Sequence, residues 1–423
     1  MICRLKNFYI LSIFVSFIFF WDLKQNIYFN FDTRILILLI FPFILKKILE
    51  DFKRKNYLFF KILSAVIFFL IIHYFFVSDW KLNFLNFNLY LFFIGYLLSI
   101  VYYFKDFLLN NKKQIIFLFY ISLFLSVITS FIIGLPPIED FYCGSVINFF
   151  FYGKSTWSFR EFIFYENSHF GMVAIPVLFT SLFLIINKKV SILYKVLFVF
   201  FCSFCIIRAS LTLLGGLILC SSLFLIVEKK RIGNHFFYFL IFTIILFSTI
   251  LFSDNICKAK LIPKYDNHSY IQNQKINESL SKILNSKEGS LSTYVFYHAA
   301  NTAYHSLLYK PFGWGPQNYE SAALYFNKKY PPKNNLLSSL NIKDGTNNFF
   351  KLIVEFGWFG VLLYLFLIYS FISKKISLEN KLFLFPFIIT QSIRGAGYFN
   401  GGFMLILLII IFLQFNIQNK LEN

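Results

Sequence analysis

Polar residues recur at a regular spacing in the otherwise apolar stretch between positions 346 and 360, and their types are suited to chemistry. Asn347, Lys351 and Glu355 follow one another at intervals of four residues, which places them on one face of a helix. Glu355 would lie roughly 9 Å along that apolar helix and would need a cationic partner there. Such a carboxylate can act as acid or base or can orient a neighbour. It can equally serve only to lock helix packing.

Two arginines, Arg208 and Arg394, stand beside or within apolar segments, where an ionised group is costly. The guanidinium fork matches phosphate oxygens, so both residues are suited to bind an anionic lipid headgroup such as a diphosphate. Snorkelling to the membrane surface, or an internal ion pair, is the alternative. The residues from Arg394 to Gly402 are rich in glycine, which lets backbone approach a ligand closely or forms a flexible turn.

A third polar group precedes the apolar segment that begins near Phe170. It contains Arg160, Glu166 and His169. Glu166 or His169, at the start of a helix, could act as a general base on a hydroxyl group. Helix capping around Glu166 with a solvated His169 is the structural alternative.

Composition indicates which elements must position these residues. Of 423 residues, 58% are hydrophobic and 14% are charged, whereas about 25% charged residues are usual in soluble proteins. This favours an all-α polytopic membrane protein with about twelve transmembrane helices and one large periplasmic loop between helices 9 and 10. The candidate helices are 8–21, 34–45, 57–77, 84–104, 115–135, 170–186, 192–207, 209–227, 236–253, 350–372, 382–393 and 399–415.

The net charge of +20 is a topology signal, because the lysines form short clusters between apolar runs and no basic amphipathic face that would bind nucleic acid. Alternate connections carry about 19 and about 7 basic residues, and the positive-inside rule places the richer side in the cytoplasm. We therefore expect a multi-pass membrane protein with both termini cytoplasmic. The predicted division is helices 1–9 in 1–253, a periplasmic loop domain in 254–349, and helices 10–12 with a cytoplasmic tail in 350–423.

This topology delivers distant segments to one outer face. The 136–169 loop, the turn at Arg208, the 254–349 loop and the turn at Arg394 all lie there, so their polar residues can form one site. The six cysteines show no metal-ligand spacing, and no metal or other cofactor is expected.

The residues from Thr346 to Gly360 resemble the signature of bacterial O-antigen ligases and polymerases. That signature reads His-Asn, apolar residues, Glu-x-Gly and a further glycine after the large periplasmic loop. The sequence from Pro311 to Tyr319, which contains Gly313, Gly315 and Asn318, looks like the glycine-rich element of the same loop. Residues 206–212, around Arg208, are more loosely similar to the family's arginine-bearing helix. The resemblance spans roughly residues 165–415.

The resemblance implies a glycosyltransferase that moves a saccharide from an undecaprenyl diphosphate carrier to a hydroxyl, without nucleotide sugar or metal. The partners are then the lipid-linked glycan, membrane lipid and a chain-length regulator, with no nucleic acid. Candidate residues for catalysis are Glu355, His169 and Glu166. Candidates for substrate binding are Arg208, Arg394, Arg160, Asn347, Lys351, Gly313, Gly315 and Asn318.

One position departs from the family pattern, because Thr346 stands where the family has histidine. His305 or His169 would have to take the place of that residue. The departure favours a polymerase, in which the acceptor is another lipid-linked repeat unit, over a ligase acting on lipid A core. A lipid-linked saccharide flippase or other transporter, and a structural membrane scaffold, are the rivals from other classes.

Overall fold

A computed structural model describes residues 2–20, 33–77, 84–133, 167–207, 210–260, 291–330, 342, 345–395 and 397–416. Within these ranges the chain is helical and contains no strand, so the predicted all-α class is confirmed. In chain order the α-helices are α1 Ile2–Phe19, α2 Phe41–Lys53, α3 Leu58–Val77, α4 Phe84–Asn110, α5 Lys112–Ile133, α6 Asn167–Asn187, α7 Ile192–Ile207, α8 Leu211–Lys260, α9 Leu291–Tyr309, α10 Tyr319–Lys329, α11 Asn348–Phe356, α12 Trp358–Ile372, α13 Leu378–Ile393 and α14 Phe403–Gln414. Two 3-10 helices, Thr33–Ile40 and Asn400–Gly402, precede α2 and α14.

Several of these helices have the length and composition of membrane spans. In the part of the chain that the structure describes, three are long and apolar enough to cross a bilayer: Leu58–Val77, Phe87–Asn110 and His169–Asn187. Shorter apolar helices accompany them, among them those in α1, α7, α12 and α14. The count of twelve spans stays a prediction.

The core of the bundle is formed where α6, α8 and α13 pack against one another. The Thr180 hydroxyl of α6 lies 3.2 Å from the Leu382 carbonyl of α13, and the Thr390 hydroxyl of α13 lies 3.4 Å from the Met172 carbonyl of α6. The two helices are therefore antiparallel, since the start of α6 meets the end of α13. Gly171 lets the start of α8 approach as well, because a Cβ there would lie 3.0 Å from the backbone nitrogen of Leu213.

Ion pairs join helices at the opposite end of this bundle. Glu379, near the start of α13, lies 3.1 Å from the Lys112 ammonium and 2.6 Å from that of Lys188. The buried Lys381 ammonium lies 2.7 Å from Glu228. These residues belong to connections that the charge count places on one side, and the structure brings those connections together at one end.

One predicted helix is interrupted in the structure. The predicted helix 350–372 is divided at Gly357, whose φ of +58° ends α11 and is unfavourable for residues with a side chain. Near the predicted division between helices 209–227 and 236–253, α8 has a kink: the backbone at Glu228 is not helical, with φ of −120° and ψ of 27°.

Candidate functional site

The stretch that contains Asn347, Lys351 and Glu355 forms the short helix α11 and its N-terminal cap. Asn347 has an extended backbone, and its side-chain oxygen accepts a hydrogen bond from the Phe350 N–H at 2.8 Å, which caps the first turn. Asn347, Lys351 and Glu355 then follow along one face, as the spacing predicts, and all three are buried. A polar row thus runs into the interior from the capped end.

Glu355 ends this row and is completely buried. Its Oε2 atom accepts a hydrogen bond from the Gln317 backbone N–H at 2.9 Å, and its Oε1 atom lies 4.0 Å from the Lys351 ammonium. Burial disfavours a charged carboxylate, while this N–H and the nearby ammonium favour it. The Tyr398 hydroxyl faces the same carboxylate.

The segment from Pro311 to Asn318 docks onto the last turn of α11 through its backbone. The Trp314 and Gly315 N–H groups donate to the Val354 and Glu355 carbonyls, each at 2.9 Å. These bonds satisfy carbonyls that a helix end otherwise leaves open. Beyond the break, the Trp358 N–H donates to the Pro311 carbonyl at 2.9 Å. The docked segment is what holds the Gln317 N–H against Glu355.

The predicted substrate-binding residues of this loop take part in the docking. Gly313 and Gly315 have φ of +90° and +91°, and a Cβ on Gly313 would collide with the Glu355 carbonyl. The Asn318 side-chain amide donates to the Trp314 carbonyl at 2.9 Å and so closes the turn. In this structure Gly313, Gly315 and Asn318 therefore make contacts within the protein that shape the docked loop.

Replacement of Gly313 by alanine is expected to loosen the loop, because it adds both the collision and a left-handed backbone that costs about 1–3 kcal/mol. We expect a lower unfolding temperature in detergent and faster proteolysis between α9 and α11. Gly215→Ala is the matched control, since its Cβ meets no atom within 4 Å. Equal unfolding temperatures for the two variants would contradict the docking role.

Tyr319 covers the row from the loop side. It is buried, and a Cβ on Gly345 would lie 3.1 Å from its ring and 3.2 Å from the Lys351 side chain. Burial, and to a lesser degree the charge of Glu355, raises the pKa of the Tyr319 phenol. The phenol therefore stays protonated and can donate a hydrogen bond at any physiological pH.

The turn that follows α13 carries Arg394 to the start of α11. Arg394 ends α13 and is half-buried, and the next N–H, of Gly395, donates to the Thr346 carbonyl at 3.0 Å. A Cβ on Gly395 would lie 2.6 Å from the Asn348 backbone nitrogen, so only glycine permits this approach. The structure thus brings the turn after α13 into contact with the start of α11. The predicted membrane topology had placed both segments on the same outer face.

Tyr398 completes the wall of the site and was not predicted. It is 1% exposed, and the Lys351 ammonium lies 5.2 Å from the centre of its ring. Asn348 was also missed; its amide donates to the Gln391 side chain at 3.1 Å. Both lie inside the motifs singled out in the sequence, but neither follows the four-residue spacing that marked Lys351.

Two buried polar atoms around this row have unused hydrogen-bonding capacity within the described ranges. They are the Asn347 side-chain nitrogen and the Asn348 side-chain oxygen, whereas the Tyr398 hydroxyl and the Glu355 carboxylate face each other. Buried polar groups normally find partners. The cluster is therefore chemically suited to a ligand that offers both donors and acceptors, such as a sugar.

The remaining predicted residues are distributed around this end of the bundle or are not described. His169 lies half-buried in the first turn of α6, one turn before Met172 and its contact with Thr390 of α13. The start of α8, just after position 208, packs on the same turn through Gly171. The ring of His305 stacks on that of Tyr330, in the loop helices. Arg160, Glu166 and Arg208 lie outside the described residues.

Comparison with known families gives one match. Residues 196–365 match the family model described as O-Antigen ligase. This range contains the 311–319 and 346–360 motifs and confirms the predicted resemblance to O-antigen ligases and polymerases. It supports an enzyme of that general type in a membrane. Comparisons with curated proteins and with solved structures found no significant match.

Proposed function

From the match of residues 196–365 to the O-antigen ligase family, we propose that this chain is a surface-polysaccharide polymerase of the bacterial inner membrane. It transfers a glycan from an undecaprenyl diphosphate carrier to a sugar hydroxyl of another lipid-linked repeat unit at the periplasmic face. The supporting observation is that the buried row ending at Glu355 meets the Arg394 turn at one end of the bundle. The other end carries the ion-paired lysines.

Arg394 and Arg208 bind the diphosphate in this proposal, with Arg160 as a further contact. During transfer, the bond between the anomeric carbon and the diphosphate oxygen breaks, and the acceptor oxygen bonds to that carbon. Negative charge grows on the departing diphosphate, so fixed cations beside it stabilise the transition state more than the bound substrate.

Glu355 acts as an orienting residue, and His169 or Glu166 takes the proton of the acceptor hydroxyl. Glu355 is fully buried, and one of its oxygens already receives the Gln317 N–H, so its present contacts are with the loop and Lys351. His169 is half-buried at the mouth of the bundle, where an acceptor can reach it. Asn347 and Lys351 contribute donors to the glycan.

A ligase that transfers the glycan to lipid A core or another acceptor is the second candidate. In this proposal Thr346 favours the polymerase, because it stands where the family has a histidine that would help activate the acceptor of a ligase. A flippase would place polar residues along a path through the midplane. The buried polar row of α11 instead lies beside the Arg394 turn, at one end of the bundle.

Purified protein supplied with lipid-linked repeat units tests the proposal. We expect glycans of two or more units on one carrier, together with free undecaprenyl diphosphate. Transfer to an added acceptor with no elongation would indicate the ligase. Movement of the lipid across vesicles without any new glycosidic bond would indicate a transporter and contradict an enzyme.

A further inference from the structure

A cavity of about 600 Å³ lies between the end of α3, the start of α12 and the loop segment that follows α9. We call it the lateral cavity. Its volume is in the range of sites that bind small molecules. Phe69 of α3 and Phe359 of α12, whose ring centroids are 5.4 Å apart, form part of its wall. The cavity is therefore built from two apolar helices and the docked loop.

The walls of the lateral cavity continue onto the surface of α3. Phe76, one of the lining residues, is 86% exposed on a helix that is long and apolar enough to cross a bilayer. Phe69 and Phe359 are exposed as well. Exposed apolar side chains of such helices are surrounded by lipid chains. An acyl chain can therefore reach the cavity from the side.

His73 supplies a hydrogen-bond acceptor in this apolar wall. It is 4% exposed, and its Nε2 lies 2.8 Å from the Phe312 carbonyl, which can only accept, so Nε2 carries the proton of the neutral ring. Nδ1 is then an acceptor, and it has no hydrogen-bond partner in the described part of the chain. Because buried polar atoms normally find partners, a ligand at this wall is expected to donate a hydrogen bond. The lining side chains are mostly apolar, so a single water molecule would find few other partners.

Lys310 alone among the lining residues carries a permanent charge. Its ammonium lies 4.3 Å from the centre of the Trp314 ring, a cation–π contact that fixes its position. The Gly313 N–H donates to the Lys310 carbonyl at 2.8 Å and closes a turn around Phe312. Because the Phe312 carbonyl is bonded to His73, this short turn brings a cation and an acceptor together. A ligand with one negative group and one hydrogen-bond donor matches them.

We propose that the lateral cavity binds a phospholipid with a primary ammonium headgroup, such as an ethanolamine phospholipid. An acyl chain lies against Phe69 and Phe359, the phosphate pairs with Lys310, and the ammonium donates to His73 Nδ1. The single cation of the wall matches the single negative charge of the phosphate. A choline headgroup has no N–H and an ionised fatty acid has no donor, so neither satisfies the His73 acceptor.

The bound phospholipid stabilises the docked loop. The His73 ring connects the two, because Nδ1 accepts from the headgroup while Nε2 donates to the Phe312 carbonyl. Hydrogen bonds that pass through one polarisable group reinforce each other. A ligand that binds only the folded chain also raises its stability by mass action. This lipid is not the glycan donor, so the inference goes beyond the proposed function and does not depend on it.

Stepwise methylation of the headgroup tests the hydrogen bond to His73. The probes are phospholipids with identical acyl chains and an ethanolamine, N-methylethanolamine, N,N-dimethylethanolamine or choline headgroup, and their binding to the purified full chain is measured by native mass spectrometry. We expect similar affinities for the first three and about tenfold weaker binding of the choline lipid, which alone has no N–H. Equal affinities for all four, or a steady fall with each methyl group, would overturn the proposal. So would tighter binding of a glycerol phospholipid, whose headgroup is anionic and donates only through hydroxyl groups.

Two variants assign the contacts to their residues. His73→Phe keeps an aromatic ring and removes the acceptor, so the ethanolamine lipid should lose its advantage over the choline lipid. Lys310→Met removes the cation, so both lipids should bind several-fold more weakly while the preference is retained. Lys61→Met, exposed near the other end of α3, is the control and should change neither.

The unfolding temperature provides a second measurement. For the wild type, we expect a higher value in the ethanolamine lipid than in the choline lipid. His73→Phe also loses the hydrogen bond to Phe312, so Lys310→Met carries the test if the histidine variant does not fold. An unchanged preference in folded His73→Phe, or unchanged affinity for both lipids in Lys310→Met, would contradict the site.

Discussion

Replacement of Arg394 by alanine is expected to abolish polymer formation while the protein still inserts into the membrane. Arg394 is half-buried where the turn after α13 meets the start of α11, and its guanidinium is proposed to neutralise the departing diphosphate. Loss of one preorganised group that stabilises transition-state charge typically lowers kcat by about 10²–10³-fold. The measurement is polymer length on gels from cells, and turnover by purified protein.

Arg54→Ala is the matched control, because Arg54 is exposed at the end of α2. Polymer length should be unchanged in it. Arg394→Lys should retain part of the activity, since an ammonium keeps the charge but loses the bidentate geometry. Normal polymer from Arg394→Ala would remove this residue from the mechanism.

Replacement of Glu355 by alanine is expected to cost both activity and stability. Breaking one side of a buried ion pair costs about 3–5 kcal/mol, because the remaining charge stays buried. Here the remaining charge is Lys351, which is 4% exposed. The Gln317 N–H also loses its acceptor, so the docked loop loosens and activity falls. Unfolding temperature and donor turnover are measured together.

Two further variants separate these effects. Glu355→Gln keeps an oxygen for the Gln317 N–H, so it should retain much more activity than the alanine variant if Glu355 orients the loop. The double variant Glu355→Ala with Lys351→Met removes both charges and should recover stability without activity. Glu320→Gln, on the same loop and half-buried, is the control. A folded Glu355→Gln protein as inactive as Glu355→Ala would assign Glu355 to proton transfer instead.

The contacts of the docked loop link His73 of α3 to the Glu355 row through one continuous segment. His73 holds the Phe312 carbonyl, the next residues bond to the end of α11, and Gln317 reaches Glu355. A change at either end therefore acts on the same backbone. Gly313→Ala, which disturbs the centre of that segment, should accordingly lower both donor turnover and the unfolding temperature.

Features that depend on neighbouring residues in the chain followed from the sequence alone. The all-α class followed from long apolar runs, because lipid leaves backbone groups no partner outside a helix. The polar row of α11 followed from the four-residue spacing of Asn347, Lys351 and Glu355, and its start from the capping character of Asn347. The two loop motifs also carried the family resemblance, which the match over residues 196–365 confirmed.

Features that join distant segments were decided only by tertiary structure. Gly357 looks like part of an apolar helix, and it ends one because the Pro311–Gly315 backbone approaches there and bonds with the last turn of α11. The place of Tyr398 beside Lys351 follows from no local pattern. Sequence periodicity indicates which face of a helix a residue lies on. It does not indicate which other segment packs against that face. Gln317 and Glu355, which are 38 positions apart, therefore became a hydrogen-bonded pair only in the folded chain.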